Sequence, residues 1–264
     1  MNLPTVSEIN KVAPSISMDP SKEVIRLEDV SVKYRVPHER IVTFKEYMIR
    51  RIQRKVQYET FLALQNVSLT IYQGEVFGII GQNGAGKSTL LKLIAKVLRP
   101  TEGRVWVKGR VAPLLELGAG FHPDLTGREN VYLYGALLGF DRSNMEQQFN
   151  QIVDFAELWD FIDAPLRTYS SGMAARLGFA VATDVRPDVL IVDEILGVGD
   201  EAFQRKCADR IQSFREQGAS ILVVSHSMTS VEKMCQRAGW LDHGQFHFIG
   251  DPLKAIEAYR KGQG

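Results

Sequence analysis

Residues 81–89 have the composition and spacing of a loop that binds phosphate groups. An apolar run precedes them and a segment with helical spacing follows, which is the strand–turn–helix context that makes this pattern specific. Glycine tolerates backbone angles that other residues avoid, so three glycines here allow main-chain N–H groups to close around phosphate oxygens. The pattern therefore predicts a phosphate site. The loop consists of Gly81, Gln82, Asn83, Gly84, Ala85, Gly86, Lys87, Ser88 and Thr89.

Lys87 and Ser88 add the charge and the metal chemistry that a triphosphate requires. A lysine at this position supplies a full positive charge to the β- and γ-phosphates, and the serine hydroxyl is placed to coordinate Mg²⁺. The helix that begins here directs the positive end of its dipole at the same anion. The alternative, a glycine-rich turn with a solvated lysine, explains fewer of these residues. We therefore predict that the chain binds a nucleoside triphosphate.

A pair of acids, Asp193 and Glu194, follows the buried run 189–192. Ligands of open α/β sheets bind at the carboxyl ends of the strands, so these carboxylates are expected to face the phosphate loop. Adjacent acids repel each other unless a cation lies between them. We predict that Asp193 holds Mg²⁺ through water and that Glu194 orients and deprotonates the attacking water. His226 ends the next buried run in the equivalent place and is predicted to sense the γ-phosphate.

A serine–glycine turn, Ser170, Ser171, Gly172 and Met173, begins an alanine-rich helix about twenty residues before the acidic pair. A turn of this kind at a helix N-terminus can bind an anion. Taken alone, it is also what an ordinary capped helix looks like. Its distance from Asp193 and its place beside the other motifs favour the anion site.

The elements that must position these residues form an α/β pattern. Continuous apolar runs at 189–192 and 221–224 indicate parallel strands that are buried on both faces. Residues 120–172 become helical and predict a helical subdomain inserted into the sheet domain. The further expected elements are strands at 24–34, 64–71, 103–107 and 111–115, a helix at 170–185, a hairpin at 240–249 and a closing helix from Pro252.

A basic segment, 37–61, interrupts this pattern and predicts an amphipathic helix. One face is apolar and the others are basic, which suits a membrane surface or a groove on a partner. A helix packed on its own domain with solvated arginines fits equally well. The apolar stripe contains Met48, Ile49, Ile52 and Val56, and the basic residues are Arg50, Arg51, Arg54 and Lys55.

Composition places the chain among globular proteins. It has 264 residues, of which 45% are hydrophobic and 24% charged, with a net charge of +1. No apolar run approaches the ~20 residues of a membrane helix, and residues 1–22 lack the apolar core of a signal peptide and are expected to form a flexible tail. Cys207 and Cys235 lack CxxC spacing and are interpreted as reduced thiols.

Together these motifs resemble the ATP-binding cassette (ABC) ATPases from Val24 to about Tyr259. The resemblance implies a P-loop NTPase core with a mixed sheet and the inserted helical subdomain, with ATP and Mg²⁺ as ligands. It makes 81–89 the Walker A motif, 189–194 Walker B and 169–173 the signature motif. It also implies that His226 is the switch histidine, that Asp200 is the D-loop aspartate, and that Tyr34 stacks on adenine.

Departures from the usual ABC ATPase motifs narrow the resemblance to one group within that family. The signature reads Tyr-Ser-Ser-Gly-Met in place of Leu-Ser-Gly-Gly-Gln, and the expected Q-loop glutamine is missing, with Glu116 as the nearest polar substitute. With the insertion after Tyr34, these features are similar to ATPase subunits of polysaccharide and polyol-phosphate exporters. That family implies hydrolysis of ATP that drives export of a lipid-linked glycan, such as O-antigen, capsule or a teichoic-acid-like polymer.

The resemblance also implies partners and a location. One cassette, 23–264, would form a homodimer in the ATP-bound state, with each nucleotide between Walker A of one copy and the signature of the other. A polytopic transmembrane permease would select the substrate, the basic segment could contact anionic lipid, and no nucleic acid is expected. The protein would be peripheral, on the cytoplasmic face of the inner membrane.

Three other functions stay open at this point. The first is a cassette ATPase coupled to another export substrate. The second is a soluble ABC ATPase for DNA repair or ribosome work, although those usually have tandem cassettes or a long coiled-coil insertion. The third is a non-hydrolysing, nucleotide-gated assembly module, which the presence of Glu194 disfavours and which a phosphate-release assay would distinguish.

Overall fold

The computed structural model describes residues 19–37, 58–114, 117–193, 199–225 and 227–263, with the backbone alone at 36, 37, 58 and 193. Several of the sequence predictions therefore lie outside the described residues. They are the tail residues 1–18, the greater part of the basic segment (38–57), Glu116, Glu194 and His226.

A three-stranded antiparallel sheet forms the first layer. Its strands are β1 (Glu23–Pro37), β2 (Tyr58–Tyr72) and β4 (Glu102–Val107), in the order β2-β1-β4. The sequence of β1 alternates, so Ile25 and Leu27 are buried while Arg26 between them is exposed. The buried face of this sheet closes one of the two cores.

A six-stranded mixed sheet forms the centre of the fold, as the sequence predicts. Its order is β5-β6-β7-β3-β8-β9, with parallel pairing from β5 to β8 and β9 antiparallel at the edge. The strands are β3 (Val76–Ile80), β5 (Val111–Pro113), β6 (Val189–Asp193), β7 (Ser220–Val224), β8 (Arg237–Asp242) and β9 (Gln245–Gly250).

The two faces of this sheet bury different cores, which explains the continuous apolar runs. In β6, Val189 and Ile191 join the core beneath the antiparallel sheet, whereas Leu190 and Val192 join the core beneath the helices. The helices are α1 (Lys87–Ile94), α2 (Gly127–Leu137), α3 (Arg142–Ala156), α4 (Ser171–Ala182), α5 (Glu201–Glu216), α6 (Met228–Met234) and α7 (Pro252–Lys261).

The helices α2, α3 and α4 make up the predicted helical part of the chain and pack on one another. A capping box begins α2, since Thr126 accepts from the backbone of Glu129 and the Glu129 carboxylate accepts from the backbone of Thr126. Phe155 of α3 stacks on Phe179 of α4, with ring centroids 5.9 Å apart. These contacts connect the helical subdomain to the core of the large sheet.

Some predicted element bounds are wrong. β1 continues past Tyr34 to Pro37, and β2 begins at Tyr58, so 58–61 is strand rather than part of the insertion. The cause is the β1–β2 ladder, which pairs Pro37 with Tyr58 and supplies hydrogen bonds that are invisible in the alternation of one strand. The helix predicted at 170–185 is also shorter than expected, since it ends at Ala182 and Thr183 has non-helical angles. Within the described ranges, no helix has the length and apolar character needed to cross a bilayer.

Candidate nucleotide site

The predicted phosphate loop connects β3 to α1. Gly86 is the N-cap of α1 and has φ +104, and a Cβ there would lie 2.6 Å from the carbonyl oxygen of Ala63. Only glycine fits this position, because both the backbone angle and the space exclude a side chain. The first N–H groups of a helix have no intrahelical partner, so the start of α1 presents donors to the loop.

Lys87 is almost fully buried in this loop. Its Nζ donates to the carbonyl oxygens of Gly81 at 2.6 Å and Gln82 at 2.8 Å. The ammonium therefore lies inside the curve of the loop, where an anion would be bound. Ser88 is exposed and Thr89 is half-buried at the same end of α1, while Gln82, Asn83 and Gly84 are exposed at the tip.

The turn between β8 and β9 supports the loop from outside. Gly244 donates its backbone N–H to the carbonyl oxygen of Ala85 at 2.9 Å, and Gln65 of β2 donates to the carbonyl oxygen of Gly244 at 2.8 Å. The phosphate loop is thus bonded to the edge hairpin of the large sheet and, through Gly244, to the antiparallel sheet. Nothing in the sequence pattern indicated this role for 243–244.

The register of the large sheet brings the predicted acidic pair to the same edge as the loop. Ile79 of β3 pairs with Val224 of β7, and Val224 pairs with Asp193 of β6. Neighbouring strands are about 4.8 Å apart, so the Asp193 backbone lies roughly 10 Å from that of Ile79. Glu194 follows at once and His226 comes two residues after Val224, both outside the described residues.

The donors around this edge suit Mg²⁺. Magnesium prefers oxygen ligands and keeps several waters, relying on one or two protein groups and substrate phosphates. Ser88 offers a hydroxyl, and the backbone of Asp193 is at the matching register. Among the described residues, no group of three or more His, Cys, Asp or Glu side chains is arranged to hold a metal ion. A hydroxyl and a carboxylate supply the oxygen donors that Mg²⁺ prefers when it is shared with phosphate, so Ser88 and Asp193 fit this ion.

The turn predicted to be the signature motif lies at the start of α4, with Ser170 as the N-cap. The Ser170 hydroxyl accepts from the backbone N–H of Met173 at 3.1 Å, while Ser170 and Ser171 are exposed. A Cβ on Gly172 would meet only the Ser170 Oγ, at 3.8 Å. The start of this helix is consequently open to a ligand that approaches from outside the chain.

Tyr34 lies in β1 directly opposite Phe61 of β2. Opposed residues of an antiparallel pair share one face, so the two exposed rings stand side by side. Further along the ladder, beyond a register shift, Val32 pairs with the buried Leu64, and a Cβ on Gly86 would lie 3.0 Å from Leu64 Cδ2. The sequence analysis missed Phe61 because it assigned residue 61 to the insertion. An aromatic residue just before the apolar run at Leu64 could have indicated that the strand begins earlier.

Asp200, the predicted D-loop residue, is the N-cap of α5. Its carboxylate accepts from the backbone N–H of Phe203 at 2.9 Å and from the guanidinium of Arg176 at 2.5 Å. The hydrogen bond from Phe203, followed by the charge of Arg176, lowers the pKa of Asp200. The aspartate is therefore ionised at neutral pH and is held in one orientation.

Comparisons with known proteins agree on the kind of protein that carries such a site. Residues 64–197 match the family described as ABC transporter. The chain is 46% identical over 240 residues to the O-antigen export system ATP-binding protein RfbB of Klebsiella pneumoniae, covering 90% of this chain and 98% of that protein. It is 39% identical over 235 residues to the teichoic acids export ATP-binding protein TagH of Bacillus anthracis, covering 89% of this chain and 42% of that one.

Solved structures show the same fold at low identity. A dimeric, post-hydrolysis structure of the ATP-binding cassette MJ0796 bound to ADP and Pi superimposes with a TM-score of 0.66 at 22% identity. The match covers 86% of this chain and 98% of that one. This likeness confirms the predicted α/β cassette fold.

Proposed function

Because this chain belongs to the ABC transporter family, we propose that it is the ATP-hydrolysing subunit of an exporter of lipid-linked polysaccharide. The observation that carries the proposal is the 46% identity to an O-antigen export ATP-binding protein along 98% of that protein's length. Further relatives are named teichoic acids export ATP-binding proteins. The substrate that we propose for this chain is a polymer of the same broad class, a glycan on a lipid carrier.

The phosphate loop performs the first step, the binding of ATP. Backbone N–H groups at the start of α1 surround the β-phosphate, and Lys87 exchanges its bonds to the loop carbonyls for phosphate oxygens. The loop residues proposed as ligands are Gly81, Asn83, Gly84, Ala85, Gly86, Lys87, Ser88 and Thr89.

Hydrolysis is assigned to the edge where β6 and β7 end. Glu194 takes the proton of the attacking water, and His226 holds the γ-phosphate and the water in line. Ser88 and Asp193, the latter through water, would hold Mg²⁺, which neutralises charge that develops on the phosphates. The register of Asp193 with Val224 and Ile79 supports this arrangement, since it brings the acidic end of β6 to the loop.

The adenine is assigned to the aromatic pair. Tyr34 stacks on one face of the base, and Phe61 extends the same apolar surface. Stacking of a base on an aromatic ring is worth about 1–3 kcal/mol by alanine substitution. The close approach of Leu64 to Gly86 supports this assignment, because the strand that carries Phe61 also packs against the phosphate loop.

A second copy of the chain completes the site. Ser170, Ser171, Gly172 and Met173 of that copy would bind the γ-phosphate of the first, and Asp200 would face the dimer interface. The exposure of Ser170, Ser171 and Asp200 supports the assignment, as does the open space around Gly172. Formation of the ATP sandwich and its opening after hydrolysis would then move a transmembrane permease.

The remaining assignments concern position in the cell. The subunit would be peripheral, on the cytoplasmic face of the inner membrane, where a polytopic permease chooses the glycan. We keep the domain plan of a tail, 1–22, and one cassette, 23–264, with the insertion and the subdomain at 120–172. Glu116 takes the place of the missing Q-loop glutamine, and the basic segment contacts anionic lipid.

Two measurements test the proposal. The purified protein should release phosphate from ATP only with Mg²⁺, and Lys87→Ala should abolish this by losing the charge on the β- and γ-phosphates. In a strain that lacks its O-antigen export ATPase, the gene expressed with its own permease should restore surface polysaccharide, and the Lys87→Ala form should not. If the protein hydrolyses ATP but restores glycan export in none of several such strains, the proposed ATPase activity would stand and the proposed polysaccharide substrate would be excluded.

A further inference from the structure

Arg176, in the second turn of the signature helix α4, is held on three sides. Its guanidinium donates to the Asp200 carboxylate at 2.5 Å and to the Glu157 carboxylate at 3.2 Å. It also lies over the ring of Phe203, 4.8 Å from the centroid. The Arg176 side chain is only 17% exposed. One arginine thus joins the end of α3, the signature helix and the start of α5.

Glu157 is an unusual residue for its position. It is the C-cap of α3 with φ +58, a left-handed conformation. Glycine or asparagine normally takes this place, because a Cβ is strained there. Its carboxylate also accepts from Lys206 of α5, so two cations from two helices share it. The backbone strain and the two cationic partners together indicate that the Glu157 carboxylate has a structural role.

We propose that Glu157 is a positioning residue that holds Arg176 against Asp200 and so ties the helical subdomain to the D-loop. The proposal rests on the proposed function, in which the signature turn and Asp200 both face a second copy of the chain. If the Glu157–Arg176–Asp200 link keeps α4 and the start of α5 together, both surfaces approach the second copy as one body. Formation of the ATP-bound dimer would then depend on the position of the helical subdomain.

An ordinary surface ion pair is the simplest alternative, since exposed pairs contribute little to stability. The surroundings of Arg176 and the charge of Glu157 favour the positioning role. The arginine is mostly covered and shared by two carboxylates, and it stacks on Phe203. Gly199 packs so closely that a Cβ there would lie 2.9 Å from Arg176 Nε. The pKa of Glu157 is lowered, first by its hydrogen bond from Lys206, so the network is charged at neutral pH.

Hydrogen exchange tests the link without ATP. The N–H of Phe203 is bonded to Asp200, so exchange in 199–204 reports how firmly Asp200 is held. Glu157→Gly removes the carboxylate and suits the left-handed cap, which keeps the protein folded. We expect the exchange rate in 199–204 to rise roughly threefold or more, because local opening becomes easier once Asp200 is held less firmly. Glu157→Gln, which keeps an acceptor oxygen, should give an intermediate value.

The matched control is Asp163, whose carboxylate binds Arg128 in the same subdomain at 2.7 and 3.2 Å. Asp163→Ala removes an equally well-formed ion pair that does not reach Asp200, and exchange in 199–204 should stay at the parental rate. Parental exchange in Glu157→Gly, or an equal rise in Asp163→Ala, would overturn the proposal.

Dimer formation supplies the functional measurement. Glu157→Gly should raise the ATP concentration needed for half-maximal dimerisation and lower the Hill coefficient of hydrolysis, while monomeric ATP binding stays unchanged. Failure of the parent protein to hydrolyse ATP would contradict the proposed function only, because the exchange experiment needs no nucleotide. Loosened exchange together with parental ATP-dependent dimerisation would overturn the coupling to the second copy.

Discussion

Gly244 donates its backbone N–H to the carbonyl oxygen of Ala85 at 2.9 Å, which bonds the β8–β9 turn directly to the phosphate loop. The same glycine accepts from Gln65 of β2 at 2.8 Å. Its carbonyl and amide therefore fix the loop relative to both sheets, including the strand that carries Phe61. The shape of the phosphate site depends on a residue more than 150 positions away in the sequence, since 244 − 85 = 159.

Substitution of Gly244 tests this support. A Cβ at Gly244 would lie 2.7 Å from the carbonyl oxygen of Ala63, and its φ is +78. Gly244→Ala should lower the free energy of unfolding by about 2–3 kcal/mol, the sum of backbone strain and steric displacement. It should also raise the KM for ATP, because displacement of the turn weakens or shifts the hydrogen bond to the Ala85 carbonyl oxygen in the phosphate loop. Urea unfolding and initial-rate kinetics measure the two effects.

Gly218 provides the control for backbone strain alone. Its φ is +87, but a Cβ there would meet nothing within 4 Å. Gly218→Ala should cost only about 1 kcal/mol and leave the KM for ATP unchanged. Equal effects on KM from both substitutions would show that the turn does not support the loop.

Glu194→Gln tests the proposed general base. Glutamine keeps the shape of the side chain and loses its proton affinity, so ATP should still bind while hydrolysis slows by roughly 10²–10⁴-fold. A stable ATP-bound dimer should accumulate and be visible by size-exclusion chromatography. Hydrolysis at the parental rate would exclude Glu194 from the mechanism, and Glu201→Gln, at an acid in the first turn of α5, controls for the loss of charge.

The sheet core and the phosphate loop were predictable because their signals are local. Buried parallel strands must be apolar at every position, and the loop requires glycines and a lysine at fixed spacing. The confirmed mixed sheet and the start of the signature helix at Ser171 both follow from such short patterns.

The remainder depends on pairing between distant residues. The extension of β1 and β2 to Pro37 and Tyr58 arises from hydrogen bonds across the ladder, and neither strand alone shows it. The Arg176–Asp200 contact joins residues 24 apart on two helices, and helical periodicity cannot reveal it. Strand register, close contacts and shared bonding partners can be identified only in the folded structure.

The aromatic pair makes a graded prediction. Tyr34→Ala should raise the KM for ATP, since stacking is worth about 1–3 kcal/mol, whereas Tyr34→Phe should leave it nearly unchanged. Phe61→Ala should have a smaller effect of the same sign, because Phe61 is the more exposed ring at 56% against 36% for Tyr34. Trp106→Ala, at another exposed aromatic on the antiparallel sheet, is the control. Equal KM values for Tyr34→Ala and Trp106→Ala would count against stacking.

The basic segment makes a prediction about export rather than hydrolysis. Near an anionic surface each basic residue adds about 1 kcal/mol, so replacing all four by glutamine should weaken binding to anionic vesicles. The ATPase activity of the isolated subunit should stay intact while export by the assembled transporter falls. Normal export with unchanged vesicle binding would mean that the residues form a solvated face. The four residues are Arg50, Arg51, Arg54 and Lys55.

Asp184, just beyond the end of α4, has a carboxyl group in unfavourable surroundings. Its Oδ2 is buried, and within the described part of the chain it has no hydrogen-bond partner. Burial raises the pKa of Asp184 to about 6, and the nearby charge of Arg210 opposes the shift. Arg210 itself donates to the carbonyl oxygen of Thr183 at 2.9 Å and lies over the ring of Phe155, so it is committed elsewhere.

The stability of the protein should therefore depend on pH through Asp184. Its pKa is higher in the folded than in the unfolded state, so the folded state binds more protons between pH ~4 and ~6 and loses stability as the pH rises through this window. Asp184→Asn stays neutral and should exceed the parent at pH 7.5 by about 1.5 kcal/mol, roughly half of what the pKa difference gives, because the group is partly solvated. Urea unfolding from pH 4.5 to 7.5 should show this advantage shrinking toward the acidic end. Asp160→Asn, at an exposed aspartate, controls for net charge; an advantage for Asp184→Asn that is constant with pH, or absent at pH 7.5, would contradict the raised pKa.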